Sequence, residues 1–482
     1  MGNFSDRGVK RSIDWKLVIT YLLLIIIGWI NIYASIHSSE PSSIFDFSVR
    51  SGKQFVWILT ALGLALVILF AVNPGFWRSA ALPMYLFVLI LLVVVIFVSK
   101  DVKGSHSWFE FGPVKFQPAE ISKITTSLLL AALLSQTNFK ITRLKDFLMA
   151  AIVIGIPMLV ILAESETGSA LVYAGFLFVM YREGFSGWWI FSIIIAILLF
   201  ILTLTVSPYV SALVLLGVIA VTGLVGSGQI DYRFWINLSI LTLLCLAPWL
   251  FGKLATPEGF LSRIKPMYIL LGVSLIAVIS LIIKGYKDRR KHLSIAALGL
   301  LAGIALIFST EFIFNNILQD HQRKRIEVLL GMKEDPSGVG YNVAQSMIAI
   351  GSGGFKGKGF LNGTQTTFGF VPEQSTDFIF CTVGEEWGFL GCLVVILLYV
   401  FMIWRIIIDA EKSREAFTRI YGYCVASCIF MHLFINIGMT IGLMPVIGIP
   451  LPLLSYGGSS LWAFTILIFI FIALYRQEKK YY

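Results

Sequence analysis

The chain has 482 residues, 57% of them hydrophobic and only 13% charged, with a mean hydropathy of +0.86, which excludes an ordinary soluble globular domain. A formal charge of +10 would suit nucleic acid, but the basic residues cluster between apolar runs, the pattern of a polytopic membrane protein. The five cysteines lie in apolar stretches without a CxxC pair, and the five histidines show no HExxH or related spacing, so neither a disulfide framework nor a protein-built metal site is indicated.

A bilayer core about 30 Å thick needs roughly 20 apolar residues per helix. Such runs predict about fourteen spans, at 17–33, 55–72, 80–98, 119–136, 147–163, 168–181, 188–205, 209–226, 234–252, 267–284, 293–313, 389–407, 420–441 and 459–475. The first lacks a small-residue cleavage site after it and reads as a retained helix. An even number puts both termini on one side. With that side cytoplasmic, the basic segments "DRGVKRSIDWK", "NFKITRLKD", "KGYKDRRKH", "WRIIIDAEKSREAFTR" and "YRQEKKYY" all lie inside, as the positive-inside rule requires. The segments 99–118, 314–388 and 444–460 then share the external face. No GxxxxGK[ST] pattern is present, which argues against an ATP-driven motor.

"QPAEISK" opens a span at its external end. Pro118 suits a first helical turn, and Glu120 and Lys123 stand three apart on one face. A local ion pair with Lys123 snorkelling and a pair lining a polar cavity are both open readings. Glu164 and Glu166, between two spans, read as a solvated turn or as a holder of a cation or substrate hydroxyl. Arg323, Lys324 and Arg325 form a basic cluster outside the membrane, and arginine holds phosphate oxygens bidentately. Asp335 precedes Pro336, which pushes its backbone out of helical geometry and presents the carboxylate. An ordinary Asp-Pro turn competes with that reading, but a long ordered external loop is more often functional than decorative.

In 348–391, glycines permit close backbone approach, and Lys356 and Lys358 add charge beside N–H groups, a combination suited to oxyanions. Glu373, Thr376, Asp377, Glu385 and Glu386 are more than a flexible linker needs. In 436–460, prolines and glycines break an apolar helix and leave backbone groups that protein or a water-filled cavity must satisfy. Enzymes and transporters both use such breaks.

The ordered stretches "GPVKFQPAEISK", "HQRKR", "EDPSGVGYNVAQSMIAIGSGGFKGKGFLNGTQTTFGFVPEQSTDFIF", "GEEWGFLG" and "GLMPVIGIPLPLLSYGGSS" resemble the SEDS family (shape, elongation, division and sporulation), on its RodA-like branch. The resemblance implies an all-α integral membrane bundle with a ten-span core, here enlarged by about four inserted spans. It implies residues 1–187 and 293–482 as core, 188–292 as insertion, and 314–388 as the external catalytic loop. The implied activity is a peptidoglycan glycosyltransferase that joins lipid II into glycan strands at the outer face of the bacterial cytoplasmic membrane and releases undecaprenyl pyrophosphate.

By the same resemblance Asp335 is the catalytic residue, with Glu120, Lys123, Trp108, Arg323, Arg325, Lys356, Lys358, Glu373 and Asp377 toward substrate. No organic cofactor is implied; a divalent cation, Mg or Mn, would arrive with the pyrophosphate. The expected partners are lipid II, membrane lipids, a class B penicillin-binding protein and the elongation machinery, with no nucleic acid. The sequence departs from the family where an Arg usually precedes the loop Trp, here Ser107 before Trp108, and where "PDLGT" carries Asp, here Glu166. A lipid-linked precursor flippase is the rival reading, and a non-catalytic scaffold the third.

Overall fold

Local signals set the helix starts. Asp14 and Asn73 cap their helices by accepting from Lys16 N at 2.9 Å and Gly75 N at 3.0 Å, and Pro74 and Pro118 occupy first turns where a missing N–H costs nothing. The computed structural model describes residues 13–37, 43–99, 107–111, 114–227, 266–287, 291–333 and 338–480. Nine helices among them are long and apolar enough to cross a membrane. Each expected span coincides with a helix except 168–181, which is two short helices joined by a 3-10 turn, and 234–252, which lies outside the described residues. The protein is an all-α integral membrane protein, relieved in the described residues by one short hairpin.

The chain divides into two units, Met1–Phe185 with Glu334–Tyr482, and Ser186–Lys333. The first contains α1 (Trp15–Ile36), α2 (Arg50–Phe70), α3 (Pro74–Val98), the strands β1 (Phe109–Phe111) and β2 (Val114–Phe116), α4 (Pro118–Leu134), α5 (Leu144–Ala163), and α6 (Thr167–Val172), which runs through a 3-10 turn into α7 (Phe176–Arg182). The second contains α8 (Gly187–Thr205), α9 (Pro208–Ser227), α10 (Pro266–Lys287), α11 (Lys291–Phe312) and α12 (Asp320–Leu329). The chain then completes the first unit with α13 (Val339–Ser352), α14 (Thr364–Thr367), α15 (Ile379–Lys412), α16 (Ala416–Thr440) and α17 (Gly458–Lys480). The stretch expected as an insertion, 188–292, lies inside a second unit that extends to Lys333 and takes in α11 and α12.

In the first unit α16 is buried on nearly every side. Tyr21 of α1 meets Thr465 of α17 across a 2.7 Å hydroxyl contact, and Gly28 lets the backbone at Leu454 approach to where a Cβ would sit 2.7 Å from its Cα. The opposite end of this bundle from the hairpin is laced by ion pairs: Arg182 with Glu411, Arg419 with Glu183, and Arg405 with Asp14 and Asp409. Outward-facing Leu66, Phe87, Phe97 and Leu159 present apolar surface to the bilayer. The second unit has its own small core of Leu199, Leu215, Leu216, Val278, Leu300 and Ile307.

The segment 314–388 is not an open loop. Its first part forms a π turn (Ile313–Ile317) and α12 in the second unit; its remainder forms α13, α14 and the first turns of α15 in the first. Gln319 and Gln322 make a reciprocal capping box at α12, which satisfies two otherwise orphaned N–H groups.

Candidate functional site

Glu120 and Lys123 lie in the first two turns of α4, each about 2% exposed. Lys123 Nζ donates to Glu120 Oε1 at 2.8 Å and lies 2.9 Å from His432 Nε2 on α16. The ammonium also sits 5.2 Å from the centre of the Phe464 ring, a cation–π contact strengthened by exclusion of water. A buried charge pair of this kind costs more to desolvate than an apolar pair and is more often functional than stabilising. Of the two sequence readings, the local pair is present, and it is buried rather than snorkelling.

Ser107 Oγ donates to Glu166 Oε1 at 2.7 Å. The two positions at which the sequence departs from the family pattern are thus direct partners, the longer Glu reaching the shorter Ser. Trp108 follows, half-buried, at the foot of the β1–β2 hairpin, whose strands pair Phe109 with Phe116 and Glu110 with Lys115. Next to Glu166, Glu164 is fully buried, and neither of its carboxylate oxygens has a hydrogen-bond partner among the described residues. Burial, with Glu166 beside it, pushes its carboxyl up to about 8, so it holds its proton at neutral pH.

The Gly-rich stretch is folded against the start of α15. Glu385, fully buried, accepts at Oε1 from Lys358 Nζ (2.6 Å), Thr364 N (2.7 Å) and Gln365 N (2.8 Å), and at Oε2 from Thr366 N (2.9 Å) and Thr366 Oγ1 (2.8 Å). Lys358 N and Gly359 N donate to the carbonyls of Glu385 and Glu386, and Phe389 N donates to Gly354 O. Such close backbone pairing needs Gly357 (φ +82°) and Gly388 (φ +64°), where α15 breaks. Lys358 is therefore committed to a carboxylate, whereas Lys356 is exposed.

The broken-helix reading of 436–460 is realised as an irregular segment, 441–457, between α16 and α17. Several of its backbone groups pair with side chains, and the segment is tied in turn to the neighbouring turn 375–377. Asn436 Nδ2 donates to Ile449 O (2.7 Å) and Asp377 O (2.8 Å), Ser455 Oγ donates to Thr376 O (2.5 Å), and Gln54 Oε1 accepts from Gly457 N (3.2 Å). Tyr456 N donates to Ser375 O at 2.8 Å. Glu373 takes a left-handed φ of +52° to make the turn through 373–378, and a Cβ on Gly448 would lie 3.4 Å from Asp377 Oδ2. The segment is the hub on which the turn 375–377 and α16 converge.

Of the residues expected toward substrate, Glu120, Lys123, Trp108, Lys356, Lys358, Glu373 and Asp377 belong to the first unit. Arg323 and Arg325 lie on α12 in the second, where Arg323 pairs along its own helix with Asp320 at 3.3 Å and Glu327 at 3.8 Å. Asp335 lies outside the described residues. Among the described residues no group of three or more His, Cys, Asp or Glu side chains is placed to hold a metal ion. The sequence reading missed His432, Asn436 and Arg50, whose guanidinium donates to Ser375 Oγ at 2.5 Å and lies 5.8 Å from the Tyr456 ring centre. The first two left a signal: polar residues four apart on one face of an otherwise apolar span.

The family model described as a cell cycle protein (FtsW, RodA, SpoVE) matches residues 14–216 and 209–480. The chain belongs to this family. It is 31% identical over 458 residues to the peptidoglycan glycosyltransferase RodA of Treponema pallidum (strain Nichols), a match that covers 95% of each chain. It is 28% identical over 403 residues to the peptidoglycan glycosyltransferase MrdB of Escherichia coli (strain K12), covering 83% of this chain and 79% of that one. Among solved structures, a chain from a peptidoglycan synthase complex that coordinates polymerization and crosslinking aligns with a TM-score of 0.60 at 22% identity, covering 97% of this chain and 98% of that one. The rod shape determining protein RodA of Thermus thermophilus aligns with a TM-score of 0.53 at 19% identity, covering 97% of each chain. These two establish the FtsW/RodA/SpoVE fold for the chain.

Proposed function

We propose that the chain is a peptidoglycan glycosyltransferase that polymerises lipid II into glycan strands during cell elongation. The observation that carries this is the match to a RodA glycosyltransferase along 95% of both chains. The acceptor's GlcNAc 4-hydroxyl attacks the anomeric carbon of the donor's MurNAc pyrophosphate, and undecaprenyl pyrophosphate leaves. Asp335 is the general base in this reading: a sugar hydroxyl is far too weak an acid to ionise at neutral pH, and a positioned carboxylate contributes about 10²–10⁴-fold.

The developing negative charge on the leaving pyrophosphate calls for cations. Lys356 suits this role better than Lys358, which is already held by Glu385. A divalent cation, Mg or Mn, accompanies the pyrophosphate instead of sitting in a protein-built cage. The basic segments around 140–145, 284–291, 405–419 and 476–480 support a cytoplasmic location for both termini in the bacterial inner membrane, with the hairpin end outside. A class B penicillin-binding protein is the proposed partner, in keeping with the likeness of this fold to one chain of a peptidoglycan synthase complex that coordinates polymerization and crosslinking.

The test is glycan polymer formation from labelled lipid II by purified wild type and Asp335→Asn in liposomes, with the transpeptidase partner present. Polymer from wild type alone supports the reading. Polymer from both removes Asp335 as base. Lipid scrambling without polymer from either would replace the enzyme with a flippase.

A further inference from the structure

The buried ion pair and the irregular segment 441–457 meet at one side chain, His432. It is 1% exposed, on the face of α16 that also carries Asn436. Its two ring nitrogens face different elements: Nδ1 lies 3.1 Å from Pro450 O, and Nε2 lies 2.9 Å from Lys123 Nζ. A carbonyl only accepts and an ammonium only donates, so the ring is neutral, with its proton on Nδ1 and a lone pair on Nε2. A charged ring would set a second cation against Lys123, whose carboxylate partner among the described residues is Glu120.

This tautomer has a consequence for Glu120. Lys123 is held on three sides, by Glu120 Oε1, by His432 Nε2 and by the Phe464 ring, against which His432 also packs edge-on with centres 4.9 Å apart. With the ammonium fixed on Oε1, Glu120 Oε2 is left buried with no hydrogen-bond partner among the described residues. A buried carboxylate oxygen without a donor is costly to keep and is the acceptor that a substrate donor would complete.

We infer that His432 is a positioning residue for the transferase site: it accepts from Lys123, so holding the ammonium on Glu120 Oε1 and leaving Oε2 open to a substrate hydroxyl or amide N–H, and it ties the pair to segment 441–457 through Pro450. The inference rests on the glycosyltransferase reading. It separates two functions of one ring, because Gln presents an amide at the Nε2 position, Asn presents one at the Nδ1 position, and Leu keeps only bulk.

The experiment compares wild type, His432→Gln, His432→Asn and His432→Leu as full-length protein in liposomes, measuring initial polymerisation rates against lipid II concentration and unfolding temperature in detergent. His432→Leu and His432→Asn are expected to lose about 10- to 100-fold in kcat, as a slightly misplaced reacting group does, while His432→Gln recovers most of the rate and all four unfold at similar temperatures. Asn equal to Gln, or Leu equal to wild type, overturns the inference. Losses that simply follow unfolding temperature also overturn it, because they make the ring a packing residue. A wild type that makes no glycan sinks the glycosyltransferase reading itself, and the role of His432 with it.

Discussion

Lys358 Nζ lies 2.6 Å from Glu385 Oε1, in an ion pair whose carboxylate is fully buried and whose ammonium side chain is 26% exposed. The pair welds a glycine-rich stretch onto the first turns of a long helix. Glu385→Ala would leave Lys358 and the N–H groups of Thr364, Gln365 and Thr366 without their acceptor. A stability loss of about 3 kcal/mol is expected, as for other buried pairs broken on one side. Lys358→Met, which leaves the backbone donors in place, should cost about 1 kcal/mol. Unfolding curves of the two variants in detergent test the ordering; equal losses would mean that the lysine, not the backbone donors, carries the contact.

The Ser107–Glu166 bond predicts coupling between two positions far apart in sequence. Ser107→Ala and Glu166→Asp should each reduce polymerisation, since either one breaks the 2.7 Å contact. Ser107→Arg alone forces a long cation into a buried position and should be worse than alanine. Joined with Glu166→Asp, which makes room for it, the arginine should recover activity, with a coupling of about 1–2 kcal/mol in a double-mutant cycle. Additive effects of the two changes would show that the side chains act independently.

Glu164 gives a pH prediction. Its folded carboxyl is raised from 4.5 to about 8 by burial and by Glu166, so between these values the folded chain keeps a proton that the unfolded chain has released. Glu164's contribution to stability is then fully present below about pH 4.5 and is lost as pH rises, levelling off above about 8. Glu164→Gln removes the titrating group and should flatten that slope. Between pH 5 and 8 the wild type should lose on the order of 5 °C more in Tm than the variant. Parallel Tm profiles for the two would rule out a buried, protonated Glu164.

The contact between Gly357 and the break in α15 predicts a sharp contrast among glycines. A Cβ at Gly357 would lie 2.1 Å from Glu386 O and one at Gly388 2.3 Å from Gly357 N, each with φ in the left-handed region, whereas Gly63 and Gly155 have open space around them. Alanine at either of the first two should destabilise by about 3 kcal/mol or abolish folding, since the nearby atoms are backbone and the φ is unfavourable. Alanine at either of the latter, each inside an apolar span, should be neutral or stabilise by about 0.5–1 kcal/mol. Expression level and Tm read the contrast directly.

Much of the architecture is legible in the sequence because the bilayer leaves few choices. A run of about 20 apolar residues in hydrocarbon can satisfy its backbone only as a helix, so most of the spans, the proline start at Pro118, and the break in 436–460 follow from local composition. The motif order was enough to place the chain in its family, and the spacing of Glu120 and Lys123 was enough to put them on one face. Composition could not reveal burial, so the open choice between a snorkelling lysine and an enclosed pair needed the surrounding helices.

What only the tertiary structure decided are the partnerships made across long separations. Lys123 meets His432, Ser107 meets Glu166, Lys358 meets Glu385, and Asn436 reaches Asp377 and Ile449. None of these pairs has a sequence spacing that marks it, because a hydrogen bond depends on where the helices pack and not on how many residues separate its ends. The sequence determined which groups cross the membrane as helices, through solvation of the backbone. The packing decided which charged groups answer one another, through the high cost of leaving any buried polar atom alone.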